Sequence, residues 1–472
     1  MLSKLFWLLM ILSTQALCQN VVTLTPAQIQ SAQDEQTVQQ AVVAYRFWYP
    51  TVSAEAIFHG YREKNILDNK SLVILAATPQ QLGFTLNSDT PYGGGTLDLT
   101  QGPFVIELPP GPYIALVDDH HQRWIVDMGI PGPDRGKGGK YLIVPPNYDK
   151  PIPEGYHVAH SSTYKLMLAI RALPQGGDTA GALNSLRKIK VYPLASASNP
   201  QLVTYVDGDT FYMDTTPLRW EKNIEYWKQL AKVINEEPIL DEYKPMYGLL
   251  ASLGIEKGQP FNPDERMQAI LTKAAEIGHS QMMLSSFTNQ SENVLVWPDR
   301  KWQWIGTLEN KGNFETPWGI DLAARDRWFA IAIAASPAMF SRAPGAGSLY
   351  WLGIRDKKNQ YLDGSKSYQL TIPQPVPARL FWSVTVYDVE TRSEIQTEQN
   401  KAVLGSLMDF KDVDKSKPVP LYFGPIPPAD KNARWIKTIP GKNWFSLLRI
   451  YGPEALAFDG SWKPGDFEQI SQ

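Results

Sequence analysis

Three groups of residues have the side chains that bind metals, move protons or recognise ligands. The first is Asp118-Asp-His-His121, with Arg123 and Asp127 just beyond. Alternate residues of a strand share a face, so Asp119 and His121 would point together, and a carboxylate beside an imidazole can begin a divalent metal site. Little in the sequence completes it: His59 and His279 stand alone, and His157 and His160 adjoin no acid. The plainer reading is a polar cluster where a strand ends in a turn. Asp119 and His121 are the metal candidates in the rival reading, and a divalent metal is the only cofactor the residues suggest.

The second group is Asn87-Ser-Asp89-Thr90-Pro-Tyr92, with Asp98 following three glycines. Such a run makes turns in which side chains accept from nearby backbone N–H groups. Its functional rival is a loop whose amide, carboxylate and phenol bind a polyhydroxylated ligand or hold an acid beside a substrate. The third group is Tyr387, Arg392, Asn400, Arg449 and Tyr451, on or beside aromatic strands. Arg449 between Leu447 and Tyr451 reads first as a buried arginine locking two strands. Aromatic planes with Arg, Asp and Asn also suit a sugar or aromatic ligand. Gly-x-Ser-x-Gly and His-Glu-x-x-His do not occur, and Gly136-Lys-Gly-Gly-Lys140 lacks the phosphate-loop spacing.

These groups must be positioned by short elements. From Phe84 onward the runs 104–108, 113–117, 124–128 and 141–144 are separated by Gly and Pro clusters, as in an antiparallel sandwich. Ahead of them, Thr25-Pro-Ala-Gln28 predicts a capped helix carrying Val38, Ala41, Val42 and Tyr45. Between 215 and 290 the period becomes helical, with starts expected at Thr216-Pro217 and Asn262-Pro-Asp-Glu265. Strands return with 380–387, where Trp382, Val384 and Val386 alternate with Phe381, Ser383, Thr385 and Tyr387, and with 444–451. The expected fold is mainly β with a helical middle segment, an α+β multidomain chain of two antiparallel sandwich or jelly-roll-like domains. The expected boundaries are 19–210 for an N-terminal β domain with leading helices, 211–300 for the helical segment and 301–472 for a C-terminal sandwich.

The 472 residues carry 45 Lys+Arg against 48 Asp+Glu, a net charge of -3, so no global field favours nucleic acid or an anionic membrane. Residues 1–18 have a lysine, an apolar run to Leu17, and Ala16 and Cys18 placed for cleavage before Gln19. A cleaved signal peptide and a periplasmic or secreted protein are expected, without a transmembrane span in the mature chain. Lipidation of Cys18 is the alternative, opposed by the bulky Leu17. Cleavage would leave a chain without cysteine.

Several strings resemble a known pairing. Asn87-Ser-Asp-Thr-Pro-Tyr92, Leu97-Asp-Leu99 and Gly102-Pro-Phe-Val-Ile-Glu-Leu108 resemble domain of unknown function twelve fifty-four. Asp363-Gly364, Leu380-Phe-Trp-Ser-Val-Thr-Val-Tyr387-Asp388 and Leu448-Arg-Ile-Tyr-Gly-Pro453 resemble its companion, domain of unknown function twelve fourteen. The resemblance implies two exported, mostly β modules with jelly-roll-like sheets, and brings no reaction or catalytic residue. The functional expectation is an exported protein binding a glycan or another small polyhydroxylated or aromatic ligand. Its alternatives are a hydrolase or lyase using Asp, Tyr and Arg residues, with or without a divalent metal, and an envelope or host-facing interaction module. A homodimer would cover exposed sheet edges.

Overall fold

The structure is a computed structural model that describes residues 24–289, 292–309, 312–345, 347–410, 414 and 416–471. The leader-like segment 1–18, with Cys18, lies outside the described residues. Helix α1 (Pro26–Glu63) starts as the sequence predicts: the Thr25 hydroxyl accepts from the Gln28 N–H at 3.3 Å, and the Gln28 side chain accepts from the Thr25 N–H at 2.8 Å. This reciprocal cap satisfies two donors that the first turn leaves without helical partners.

The first sandwich pairs a six-stranded with a four-stranded sheet. The six-stranded order is β10 (Thr204–Asp207), β1 (Ser71–Leu75), β2 (Tyr92–Asp98), β8 (Lys165–Ala172), β4 (Tyr113–Asp119) and β5 (Trp124–Gly129). The four-stranded order is β7 (His157–His160), β6 (Gly139–Val144), β3 (Phe104–Leu108) and β9 (Lys190–Pro193). Leu97, Val117, Leu168 and Ile170 from one sheet meet Phe104, Ile106 and Ile143 from the other, and Leu186 of α2 (Thr179–Leu186) joins them. The opposite face of the larger sheet bears Arg171, Ala169 and Met167, and it does not belong to this core.

Helices α3 (Ile224–Glu236), α4 (Lys244–Ala251), α5 (Glu265–Phe287) and α6 (Leu322–Phe329) form a layer around α1. Two starts differ from the expected ones. Helix α3 begins at Asn223, whose side chain accepts from the Glu225 N–H at 2.9 Å. At the expected start Thr216-Pro217 the chain makes a turn instead, the Trp220 and Glu221 N–H groups bonding to the Pro217 carbonyl at 2.8 and 3.0 Å. Helix α5 begins at Asp264, which accepts from the Met267 N–H at 2.8 Å, two positions beyond Asn262.

The second sandwich has a sheet ordered β11 (Gln303–Trp304), β14 (Ser348–Gly353), β20 (Trp444–Pro453), β16 (Ala378–Asp388) and β17 (Val403–Gly405). It packs on β19 (Arg434–Lys437), β18 (Val419–Gly424), β15 (Ser367–Ile372) and β21 (Glu468–Ile470). A small hairpin, β12 (Glu315–Thr316) and β13 (Gly319–Ile320), lies apart. The alternation read at 380–387 is obeyed: Trp382, Val384 and Val386 fill the sandwich core, while Tyr387 faces the helical layer with Phe445 and Leu447. The chain is thus α+β, with two largely antiparallel sandwiches joined by helices. No described helix is long and apolar enough to cross a membrane.

Candidate functional site

Where the bare face of the first sandwich approaches the second, a cavity of about 1110 Å³ opens, its mouth included. Its floor is Arg171, Ala169 and Met167 of β8, Ile114 and Leu116 of β4, Tyr92 and Asp127. Its roof is Ser348 and Tyr350 of β14 with Leu447, Arg449 and Tyr451 of β20. Trp328, Ile333 and Met339 close one side. Most of this lining is hydrocarbon, so the few polar groups must decide what it holds.

Arg171 is the central one. Its Nε donates to the Thr90 hydroxyl at 2.8 Å, and its Nη1 donates to the Tyr451 hydroxyl across the domain boundary. The Tyr92 and Tyr451 rings lie 5.0 and 5.1 Å from the guanidinium carbon. Its Nη2 is buried without a hydrogen-bond partner. Arg449 is 2% exposed; its Nη1 donates to Thr385 Oγ1 at 3.0 Å and its Nη2 to the Thr85 carbonyl at 2.9 Å. Besides burial, the groups acting most strongly on either guanidinium are tyrosines rather than carboxylates. Both stay protonated, so the cavity has an excess of positive charge at this end.

The nearest acids are held back from it. Burial raises the Asp89 carboxyl, and it raises Glu394 to about 7, although Ser88 donates to Glu394 through its N–H at 2.8 Å. At the far end of the floor, burial pushes Asp127 up to about 6, opposed by the Ser336 hydroxyl that donates to Asp127 Oδ2 at 2.9 Å.

The sequence candidates divide by place. Tyr92, Arg449 and Tyr451 line the cavity, and Thr90 orients Arg171 from just outside it. Asn87 makes the expected turn, its Oδ1 accepting from the Asp89 N–H at 2.7 Å, while Asp89 sits behind the two arginines. Tyr387 donates to the Leu86 carbonyl at 2.8 Å and lies behind Arg449. Asp98, at the other end of β2 from Tyr92, caps a short turn through the Thr100 N–H at 2.9 Å. Asn400 is exposed in a turn with φ 49°. Arg392 is committed elsewhere: it pairs with Glu221, which also accepts from Tyr49 at 2.6 Å.

The metal pair does not form. Strand β4 ends at Asp119, so His121 lies in the following turn and strand alternation no longer aligns the two. The Asp119 carboxylate accepts from the N–H groups of His121 at 2.8 Å and Arg123 at 2.9 Å and from the Ser162 hydroxyl at 2.5 Å. His121 Nδ1 meets the Thr51 hydroxyl at 2.9 Å, and burial pushes this imidazole down to about 4. Among the described residues no group of three or more His, Cys, Asp or Glu is placed to hold a metal. His120 instead lies between Glu237 at 2.9 Å and Glu55 at 3.2 Å, tying the turn to α1 and to the end of α3.

Arg171, Tyr350 and Ser336 were not singled out from sequence. A usable signal existed for Arg171: in Lys165-Leu-Met-Leu-Ala-Ile-Arg-Ala172 it is a charge that follows five apolar residues, on the face opposite Leu166, Leu168 and Ile170.

Two family models match, both described as protein of unknown function: DUF1254 over residues 71–193 and DUF1214 over residues 347–455. Each falls on one sandwich, so the cavity lies between the two matched modules. No curated protein matches the chain. The crystal structure of the VPA0106 protein from Vibrio parahaemolyticus is similar, with TM-score 0.59 and 18% identity over 92% of this chain and 100% of that one. An uncharacterized protein from Burkholderia cenocepacia aligns over 93% of this chain and 96% of its own at TM-score 0.41 and 10% identity. The Vibrio likeness concerns the fold and extends across both modules and the helices between them.

Proposed function

We propose that this chain, in which a DUF1254 module precedes a DUF1214 module, binds a small and largely apolar organic anion between the two. The observation that carries this reading is the Arg171 guanidinium, which belongs to a residue lining a hydrocarbon-walled cavity and whose buried Nη2 has no hydrogen-bond partner. An unpaired buried donor on a charged group is costly, and a carboxylate would satisfy it with a charge-assisted bond. Tyr92, Tyr350 and Tyr451 add aromatic surface around the anion. Of the ligands expected from sequence, an aromatic molecule fits better than a glycan, since a sugar would set most of its hydroxyls against Ile114, Leu116, Met167 and Ile333; the arginine adds that the molecule is an acid, aromatic or aliphatic. We place the binding outside the cytoplasm on the strength of the leader-like residues 1–18 alone.

Titration calorimetry of the mature chain with phenylpropionate and octanoate tests this, using the matching alcohols and glucose as controls. The acids should bind and the controls should not. Arg171→Met should weaken the acids by about 1.5–3 kcal/mol, the worth of a hydrogen bond to a charged group. Equal binding of acids and alcohols, or indifference to Arg171→Met, would sink the anion reading.

A further inference from the structure

The floor of the cavity has a second polar end. In the strand register Arg171 pairs with Ile114, and Ala169 pairs with Leu116, which in turn pairs with Asp127. Residues directly opposite in a ladder share a face, as do residues two apart along a strand. Arg171 and Asp127 therefore stand on one face, two strands across and two residues along. Standard strand spacings put their Cα atoms about 12 Å apart. Between them the floor is Ala169, Ile114 and Leu116, without a polar side chain.

Asp127 is 8% exposed, and among the described residues it has the Ser336 hydroxyl as a donor and the Trp124 indole N–H acting on it, but no cation within ion-pair range. The Ser336 oxygen also accepts from the Ala338 N–H at 3.1 Å, so this hydroxyl is fixed and directed at the carboxylate. A carboxyl raised only to about 6 is mostly ionised at neutral pH and has lone pairs to spare. Facing hydrocarbon, it gains from any donor that an occupant brings. An ammonium would lose more hydration than a hydroxyl on entering such a cavity, which favours the hydroxyl.

We propose that the occupant is an acid with two unlike ends: its anionic group meets Arg171 and Tyr451, its hydroxyl or phenol donates to Asp127, and an apolar body lies over Ala169 and Leu116. This assignment rests on the anion-binding reading of the same cavity. It makes Asp127 a specificity residue that selects hydroxy acids from plain ones.

Heptanoate, ω-hydroxyhexanoate and ω-aminohexanoate have nearly the same length and differ at the far end, so their dissociation constants in wild-type protein separate the two claims. The hydroxy acid should bind about tenfold or more tighter than heptanoate, the gain of one hydrogen bond to a charged acceptor. In Asp127→Asn, where the amide oxygen can still receive the Ser336 hydroxyl, that ratio should fall toward one. If heptanoate binds and depends on Arg171 but the hydroxy acid is no tighter, the second end is refuted while the anion site stands. A preference for the amino acid over the hydroxy acid would also overturn the hydroxyl assignment. If none of the three binds, both readings fall together.

Discussion

Glu394 belongs to the second module, yet the residue that donates to it is in the first: the Ser88 N–H and hydroxyl both reach Oε1, at 2.8 and 2.9 Å. The loop it grips also supplies the Thr85 carbonyl to Arg449 and the Thr90 hydroxyl to Arg171. Burial raises this carboxyl from 4.5 to about 7, so the folded protein holds its proton more tightly than the unfolded chain. A raised acid gives its full stabilisation below the unfolded value and loses it as pH climbs to the folded one. Chemical denaturation of wild type and Glu394→Gln should therefore show wild type losing ground between pH 4.5 and about 7, by a total on the order of 3 kcal/mol. A gap that stays constant across this window would show that Glu394 does not titrate there. At this scale the sequence was legible in part. The Asn87–Tyr92 loop and Arg449 could be marked because several polar types crowd a short stretch or interrupt an alternating face. Arg171 carries its meaning through Tyr451, 280 residues away in sequence, and no local pattern encodes that.

Elements are tied to one another by buried ionic knots. Arg392, in the left-handed region at φ 54°, reaches Glu221 just ahead of α3, and Glu221 also takes the Tyr49 hydroxyl from α1. The guanidinium lies 4.3 Å from the Phe84 ring centroid, next to the cavity wall. Removing one charge from such a pair leaves the other buried without compensation. Glu221→Gln should cost about 3–5 kcal/mol in thermal or urea unfolding, and a loss under 1 kcal/mol would mean that water reaches Arg392. Element types were read well where one local rule governs them: the Thr25–Gln28 cap, the strands at 104–108 and 124–128, and the alternation through Trp382 and Val384. The start of α3 was misplaced because a threonine before a proline looks like a cap whatever its hydroxyl is doing. Here the residues after it form a turn closed on the Pro217 carbonyl, and the helix waits for the next cap, Asn223.

For the molecule as a whole, the question is whether two modules and a helical layer behave as one body. One apolar cluster runs from Val38 and Trp48 of α1 through Trp227, Leu271 and Trp328 to Tyr387, Phe445 and Leu447 on the second sandwich. A second, smaller one joins Ala54 and Phe58 of α1 to Leu116 and Met167 of the cavity floor. Polar ties cross the same boundary, with Arg171 on Tyr451, Arg449 on Thr85 and Ser88 on Glu394. Multidomain chains commonly unfold in steps, because contacts between domains are weaker than those within them. Here the cavity floor cannot separate from its roof without exposing residues that both modules bury. Scanning calorimetry of the protein should therefore give one transition, with van't Hoff and calorimetric enthalpies in agreement. A cavity ligand at about a hundred times its dissociation constant should move that transition as a unit, adding about 2.7 kcal/mol. Two resolved transitions, with only one shifted by ligand, would mean that a single module holds the anion and that Arg171 and Tyr451 do not act together.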